Sequence, residues 1–194
     1  MFPIIDPIGN VPTFLALTGS MDRARRRSVA LKSVAAALVI LAVFLAIGNF
    51  ILEYFGISLA AVEVIGGLVF GYMGWQMLFH SIELPDLEQH ETGPDIYFTP
   101  MAFPLLAGPG ALAAVLALSN RADSWLDFPG FLIGIVLVLA VAYLLFTQGD
   151  RVLGLLGPRG IDLMNRLMGL IVLLIAAEFV FHGVADEFGL ARFG

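Results

Sequence analysis

The chain has 194 residues, of which 59% are hydrophobic and only 13% are charged, and its formal net charge is -6. An average soluble domain carries about 25% charged residues, so this composition excludes an ordinary soluble protein. Cysteine is absent, which excludes disulfides, thiolate metal sites and a cysteine nucleophile. Four stretches without Asp, Glu, Lys or Arg are each long enough to cross a bilayer as a helix: 34–52, 64–82, 96–118 and 128–149. The sequence therefore predicts a polytopic helical membrane protein.

In chain order, the sequence predicts six membrane helices, near 1–17, 29–52, 59–80, 97–118, 130–148 and 165–185. The first contains FPIIDPIGNVPTFLAL (2–17), with three prolines, a glycine, an aspartate and an asparagine. Proline and glycine break helices, and exposed polar backbone is tolerated in a bilayer only where it is buried in protein or lines a cavity. We interpret this segment as a broken helix that forms part of a binding site. A structural kink needed for close packing is the alternative.

The basic residues predict an orientation. Eight flank the first and fifth connections: Arg23, Arg25, Arg26, Arg27, Lys32, Arg151, Arg159 and Arg166. Only Arg121 and Arg192 lie on the other side. The positive-inside rule then places both termini outside the cytoplasm. Contact with anionic lipid or nucleic acid is the functional alternative for the arginine cluster. The third connection, 81–96, is acidic and is predicted to be a solvated cytoplasmic connector.

The second half of the chain repeats the first. Residues 103–120, FPLLAGPGALAAVLALSN, align without gaps on residues 2–19 at an offset of 101, with six identities in eighteen positions. Each half then holds three helices, so the second half enters the membrane from the opposite side. The predicted fold is an all-α membrane protein, with six transmembrane helices in two inverted three-helix repeats (1–80 and 97–194) and with helices 1 and 4 broken. Breaks at equivalent positions of inverted repeats predict a transport site near the membrane midplane.

The two breaks supply the candidate substrate-binding residues: Asp6, Pro7, Gly9, Asn10 and Pro12 in the first, and Gly108, Pro109 and Gly110 in the second. A half-helix that starts after Gly9 or Gly110 would direct its N–H groups and the positive end of its dipole at an anion such as a carboxylate. Asp6 and freed backbone carbonyls would hold a cation. Capping of the half-helix by the Asp6 carboxylate is the alternative.

Further charges interrupt the apolar helices, where each is costly and needs a reason. Glu178 follows eleven uncharged residues, and we predict that it acts with Asp6 in binding a coupling ion, H⁺ or Na⁺; a hydrogen bond to a neighbouring helix is the alternative. Glu63 and Arg166 occupy equivalent positions of helices 3 and 6, so they are predicted either to pair or to reach water. His80, His90 and His182 lack metal-ligand spacing, so we expect no metal and no cofactor other than the coupling ion.

Three segments resemble a known family. DPIGNVPTF (6–14) resembles the (Asn/Asp)-Pro-x-Gly-x-x-Pro-x-Phe signature of the MarC family of bacterial and archaeal membrane proteins. PLLAGPG (104–110) resembles the family's second signature, and NRLMGLIVLLIAAEFVFHG (165–183) its last helix. The resemblance implies six helices in two inverted triplets, kinship with the LysE-type transporter superfamily, a place in the cytoplasmic (inner) membrane, and an association with multiple antibiotic resistance. In some members it implies transport of small neutral amino acids such as glycine and alanine.

The chain departs from that family in three respects. Family members have an apolar stretch before the first signature, and residues 95–102 precede Phe103 without a counterpart before Phe2. We therefore expect roughly eight further residues of helix 1 before Met1 in the native protein. Glu63 and Glu178 stand where less acidic residues are expected, which weakens the transfer of a particular substrate or coupling ion.

The sequence favours a secondary transporter of small neutral solutes, coupled to an ion and working by alternating access. It contains no Gly-Lys-Ser/Thr loop, no H-E-x-x-H and no G-x-S-x-G, so neither an ATP-driven pump nor an enzyme is expected. A passive channel and a non-transporting membrane scaffold are the alternative functions. The expected partners are the lipid bilayer and a small-molecule substrate; no nucleic acid is expected, and a homo-oligomer is left open.

Overall fold

A computed structural model describes residues 1–79, 96–120, 122, 124 and 126–189. Every regular element within these residues is helical: α1 (Phe2–Ile5), α2 (Asn10–Thr18), α3 (Arg23–Phe55), α4 (Leu59–Phe79), a π-helical segment (Tyr97–Leu106), α5 (Pro109–Asn120), α6 (Asp127–Thr147) and α7 (Gly149–Glu187). The predicted acidic connector, except Ile96, lies outside the described residues, as do His80, His90, Arg121 and Arg192.

Four helices are long and apolar enough to cross a bilayer: Arg23–Phe55, Leu59–Phe79, Asp127–Thr147 and Arg159–Glu187. The Tyr97–Leu106 segment and α5 make a fifth candidate span if they are taken together, with a bend of 58° between them. Large apolar side chains such as Phe50, Leu68 and Leu137 face outward, more than half exposed, which suits a lipid environment rather than water. The polytopic membrane prediction is confirmed.

The ends of α3 follow from local sequence. Asp22 is extended (φ -67°, ψ 164°), and its side chain accepts a hydrogen bond from the Arg25 N–H, which caps the first turn. At the other end Gly56 adopts the left-handed conformation (φ 64°), and its N–H donates to Glu53 O. α3 therefore begins six residues before the predicted start. At ~1.5 Å per residue it is about 50 Å long, so its arginine-rich start extends beyond the ~30 Å hydrocarbon core.

The predicted connection 149–164 is wrong, because these residues are helical. α7 starts at Gly149, directly after α6, and its helical geometry is interrupted only at Gly157 (φ 66°, ψ 171°), a conformation that is open to glycine but not to most residues. The part before Gly157 is too short to span a bilayer, and the candidate span begins at Arg159.

Glycines let α4 and α7 pack closely and antiparallel. A Cβ added to Gly74 would lie 2.8 Å from Gly169 O, and one added to Gly183 would lie 2.6 Å from Ala60 O. Backbones come this near only where side chains are absent, as in many membrane helix pairs. Of the other helices, α3 packs against α5 and α6, and α1 and α2 pack against α7. The first break therefore meets the long helices of the second half.

Candidate functional site

The first break separates α1 from α2 at Asp6. Asp6 is the only residue besides glycine with a positive φ in the described part of the chain (φ 43°, ψ 64°). Aspartate tolerates this conformation better than most residues because its short side chain bonds to nearby backbone. Pro7 follows it and is buried, and the half-buried Pro12 lies in the first turn of α2. The chain therefore turns at the position where the sequence predicted a break.

The Asp6 carboxylate holds the turn together. Its Oδ1 accepts a hydrogen bond from the Gly9 N–H at 3.0 Å, and the Asp6 carbonyl accepts one from the Asn10 N–H at 3.1 Å. Asn10 in turn donates from Nδ2 to Ile5 O at 2.9 Å, so its amide joins α1 to α2 instead of pointing into a cavity. The capping interpretation of Asp6 is thus correct for one of its two carboxylate oxygens.

The second carboxylate oxygen faces another polar group. A Cβ added to Gly9 would collide with Asp6 Oδ2 and lie 2.7 Å from Asn165 Oδ1, so both oxygens flank the same side of Gly9. Asn165 is only 6% exposed, and its Nδ2 donates to Met77 O on α4 at 3.4 Å. The donor end of this amide therefore points to α4 and its acceptor end to the break. Two oxygens on one side of a backbone without a side chain are suited to hold a cation or a protonated amine.

The second break has a different origin. Thr99 (φ -120°, ψ 123°) and Phe103 (φ -135°, ψ 126°) are extended within the Tyr97–Leu106 segment, and each precedes a proline, which disfavours the helical conformation. α5 then starts at Pro109 after the buried Ala107 and Gly108. A Cβ at Gly108 would collide with Pro104 O, so this glycine is required by the tight turn.

Gly110 brings the start of α5 against α4. Its Cα faces the Phe70 ring, from which an added Cβ would lie 2.7 Å, and the Met73 Sδ, from which it would lie 3.2 Å. The side chain of Pro109 is exposed. Of the three residues predicted in this break, Gly108 and Gly110 therefore lie at close backbone approaches, and Pro109 lies at the surface.

The two breaks differ in the state of their helix N-termini. In α2 the N–H groups of Gly9, Asn10 and Val11 are bonded to Asp6 Oδ1, Asp6 O and Ile8 O, and Pro12 has none. The N–H groups that the sequence analysis offered to an anion at this end are therefore bonded within the protein, one of them to the Asp6 carboxylate. In α5 the first N–H that bonds back is that of Leu112, to Gly108 O. Within the described part of the chain, the N–H groups of Gly110 and Ala111 have no such partner.

Both breaks flank one stretch of α4. The first reaches Met77 through Asn165, and the second reaches Met73 through Gly110. These two residues are four apart, about 6 Å at ~1.5 Å per residue. The α4 residues that the two breaks contact thus lie roughly one helical turn apart.

Glu178 does not join this site. It is 65% exposed on the outer side of α7, and its Oε1 lies 3.4 Å from His182 Nε2. It is thirteen residues beyond Asn165, about 20 Å along the helix axis. Within the described residues, no three His, Asp or Glu side chains are grouped as they would be around a metal ion.

Glu63 and Arg166 do not meet. In two antiparallel helices only the positions near the middle of their contact lie opposite their equivalents, and α4 and α7 contact each other from Ala60 and Gly183 at one end to Met77 and Gly169 at the other. Glu63 is 1% exposed and lies near the start of α4, whereas Arg166 donates to Leu78 O near its end. Arg166 also pairs with Asp162 at 2.9 Å.

Asn165 is the residue that sequence reasoning undervalued. Its type and its place at the start of the last membrane helix mark it only as a polar residue of an apolar helix, for which an interhelical hydrogen bond is the usual role. It makes that bond, but its acceptor oxygen also faces Gly9. The last-helix segment that begins NRLMG was the one available signal.

Long apolar helices with outward-facing apolar side chains, and polar breaks packed between them, define a multi-pass integral membrane protein. The chain belongs to the MarC family: residues 1–188 match the model of the MarC family integral membrane proteins. The resemblance found in its signatures is thereby confirmed.

Related proteins occur in bacteria and archaea. The chain is 31% identical to the UPF0056 membrane protein YvbG of Bacillus subtilis, over 97% of this chain and 92% of the relative. It is 35% identical to the UPF0056 membrane protein MJ1677 of Methanocaldococcus jannaschii, over 95% and 92%. It is 29% identical to the UPF0056 inner membrane protein MarC of Citrobacter koseri, over 96% and 91%. No solved structure matches the chain.

Proposed function

We propose that this protein is an ion-coupled secondary transporter of small neutral solutes, of the class of glycine and alanine, that works by alternating access. The observation that carries the proposal is the opposite chemistry of the two breaks. Asp6 and Asn165 offer oxygens to a cation or an ammonium group, and the start of α5 offers N–H donors to a carboxylate. A zwitterion that is neutral overall needs both.

The small size of the substrate is supported by the packing around the breaks. Gly108 and Gly110 bring backbone against Pro104 and Phe70, and the two breaks lie only about 6 Å apart along α4. An amino acid with a large side chain would have to displace these contacts, whereas glycine or alanine adds little volume beyond its charged groups.

An inverted repeat is supported by contacts that recur between the halves. Gly48 on α3 faces Leu116 on α5, with 2.9 Å between an added Cβ and Leu116 Cδ2. Gly149 at the start of α7 faces Leu15 on α2, with 3.0 Å between an added Cβ and Leu15 Cδ2. Each member of one pair is related to a member of the other by the offset of 101. Equivalent packing in two halves of opposite direction is the arrangement in which one half rocks against the other.

Ion coupling is assigned to Asp6 first. Its carboxylate lies at a break that joins α1, α2 and α7, so a change in its charge would act on the elements that move in alternating access. Glu178 is given no part in this coupling, because it is exposed on the outer side of α7 at a distance from both breaks. The name of the Citrobacter koseri relative and the arginine distribution support the cytoplasmic membrane with both termini outside the cytoplasm.

The test is uptake of radiolabelled glycine and alanine into proteoliposomes with an imposed H⁺ or Na⁺ gradient. The variant is Asp6→Asn, which keeps a capping acceptor and removes the charge. Asp22→Asn is the matched control, because Asp22 also caps a helix through Oδ1 and lies outside the breaks. We expect saturable uptake that follows one gradient in the native protein and in Asp22→Asn. In Asp6→Asn, gradient-driven uptake falls about tenfold or more, as expected when a charge-assisted contact is lost.

The other outcomes separate the rival functions. Flux that neither saturates nor follows a gradient would indicate a passive channel. No uptake above that of empty liposomes, with folded full-length protein, would discard the amino-acid proposal and favour the scaffold. Equal loss in both aspartate variants would assign the effect to capping rather than to ion binding.

A further inference from the structure

An arginine-lined cavity lies at the opposite end of α3 from Gly56. It has a volume of about 130 Å³ and is lined by Arg23, Arg26 and Arg27 at the start of α3 and by Arg151 at the start of α7. The α6–α7 junction completes the wall with Thr147, Gln148 and Asp150. Four arginines against one aspartate leave the lining with a strong positive charge. The two groups of lining residues are at least 120 positions apart in the chain, so only the fold assembles the cavity.

One arginine of the cavity is fixed by an ion pair within the protein. Arg26 Nη1 bonds to Asp150 Oδ2 at 2.7 Å, which ties α3 to α7, while the buried Arg26 Nε has no partner among the described residues. Arg23, Arg27 and Arg151 form no ion pair within the described part of the chain. A guanidinium group that is not paired with a carboxylate can bind a phosphate through two parallel hydrogen bonds, and three such groups line this cavity.

The surroundings of the cavity favour a lipid over a free anion. The short helical part of α7 before Gly157 exposes Leu153, Leu155 and Leu156 directly after Arg151, and Leu155 is 86% exposed. The candidate span of α7 begins only at Arg159, so this part precedes the hydrocarbon-spanning helix. Exposed leucines beside arginines at that level are typical of a segment that lies in the membrane interface. A phospholipid supplies a phosphate for the cavity and acyl chains for the leucines.

We propose that this arginine-lined cavity binds the phosphate of an anionic phospholipid headgroup. The sequence analysis used these arginines to predict the orientation of the helices in the membrane, and lipid binding is a second role of the same residues. It is also independent of the transport proposal, because no lining residue belongs to either break.

The test measures binding of phosphatidylglycerol to purified full-length protein in a neutral detergent, by native mass spectrometry and by the lipid-induced rise in unfolding temperature. The cavity variants are Arg27→Gln and Arg151→Gln. The matched controls are Arg25→Gln, from the same helical turn but outside the cavity lining, and Arg159→Gln, an exposed arginine of α7. Phosphatidylcholine and inorganic phosphate are tested as competing ligands.

We expect each cavity variant to weaken phosphatidylglycerol binding about tenfold, because each removes a charge-assisted contact to phosphate. The controls should change it less than about twofold, since exposed charges at a distance are screened by salt. All four variants should unfold at the native temperature without lipid. Equal weakening in cavity and control variants would overturn the site in favour of diffuse attraction. Equal binding of phosphatidylcholine would overturn the anionic preference, and equally tight binding of inorganic phosphate would overturn the lipid as the ligand.

Discussion

The breaks in the two halves of this chain occupy equivalent sequence positions and are built in different ways. The first turns at a left-handed aspartate whose carboxylate bonds the start of α2. The second turns at residues held extended by following prolines, and Ala107 stands where the first has Asp6. The two halves of a repeat can therefore keep a break at the same sequence position and still place different polar groups there. In the proposed site, the first half offers oxygens to a cation and the second half offers N–H groups to an anion.

The division also explains why the start of α2 is a poor anion site. A helix N-terminus attracts negative charge, and in the first break the protein supplies that charge itself through Asp6 Oδ1. At the start of α2, a substrate carboxylate would find N–H groups that are already hydrogen-bonded, and it would lie beside the Asp6 carboxylate. The start of α5 carries neither obstacle in the described part of the chain.

The largest effect should come from Gly9→Ala. The added methyl group would collide with Asp6 Oδ2 and press on Asn165 Oδ1 at 2.7 Å, so it displaces both oxygens of the cation-binding side. We expect uptake to fall by more than tenfold, with a loss of about 1–3 kcal/mol in the free energy of unfolding from overpacking. Gly19→Ala is the control, since Gly19 is exposed and its added Cβ meets nothing nearer than 3.3 Å. Equal losses of uptake in both variants would contradict the assignment.

A somewhat smaller effect is expected from Asn165→Leu. The change replaces the amide with an apolar side chain of similar size at this buried position. It removes the oxygen that faces Gly9, along with the hydrogen bond to Met77 O. We expect the ion concentration for half-maximal uptake to rise about tenfold, because one ligand of the cation is lost. Asn49→Leu, an amide on α3 outside both breaks, should leave that concentration unchanged. An unchanged ion dependence in Asn165→Leu would restrict the role of Asn165 to helix packing.

Gly110→Ala tests the other side of the comparison. Its Cβ would lie 2.7 Å from the Phe70 ring, which can give way only in part, so the start of α5 should shift by a few tenths of an ångström. We expect the KM for glycine to rise several-fold, with the dependence on the ion gradient unchanged. Gly134→Ala on α6 is the control, because nothing lies within 4 Å of its added Cβ. If Gly110→Ala alters ion dependence and leaves the KM unchanged, the proposed division between the breaks is wrong.

The smallest effect is expected from Glu178→Gln. Glu178 is mostly exposed and pairs with His182 at a distance from both breaks, so uptake should change by less than about twofold across pH. His182→Gln serves as its partner variant and should behave in the same way. A loss as large as that in Asp6→Asn would return Glu178 to the coupling mechanism as first predicted.

Much of the fold was predictable because its causes are local. Uncharged stretches of about 20 residues predict membrane helices, and each candidate span overlaps a predicted helix. The predicted helix 1–17 is not among the candidate spans, because its break leaves two short helices. The break at Asp6 followed from its neighbouring prolines and glycine. The helical nature of 149–164 was missed because its glycines, proline and charged residues are typical of a connection, whereas packing of its start against Leu15 favours a helix.

The sequence by itself determined that this is a helical membrane protein of the MarC family with two equivalent broken segments. Composition, proline position and repeated motifs are properties of the chain that need no partner in space. Only the tertiary structure decided which atoms meet. The approach of Asn165 to Gly9, the separation of Glu63 from Arg166 and the arginine-lined cavity depend on how helices distant in sequence pack against one another. Residue types and spacing do not specify that packing, which for α4 and α7 involves glycines that let the two backbones approach closely.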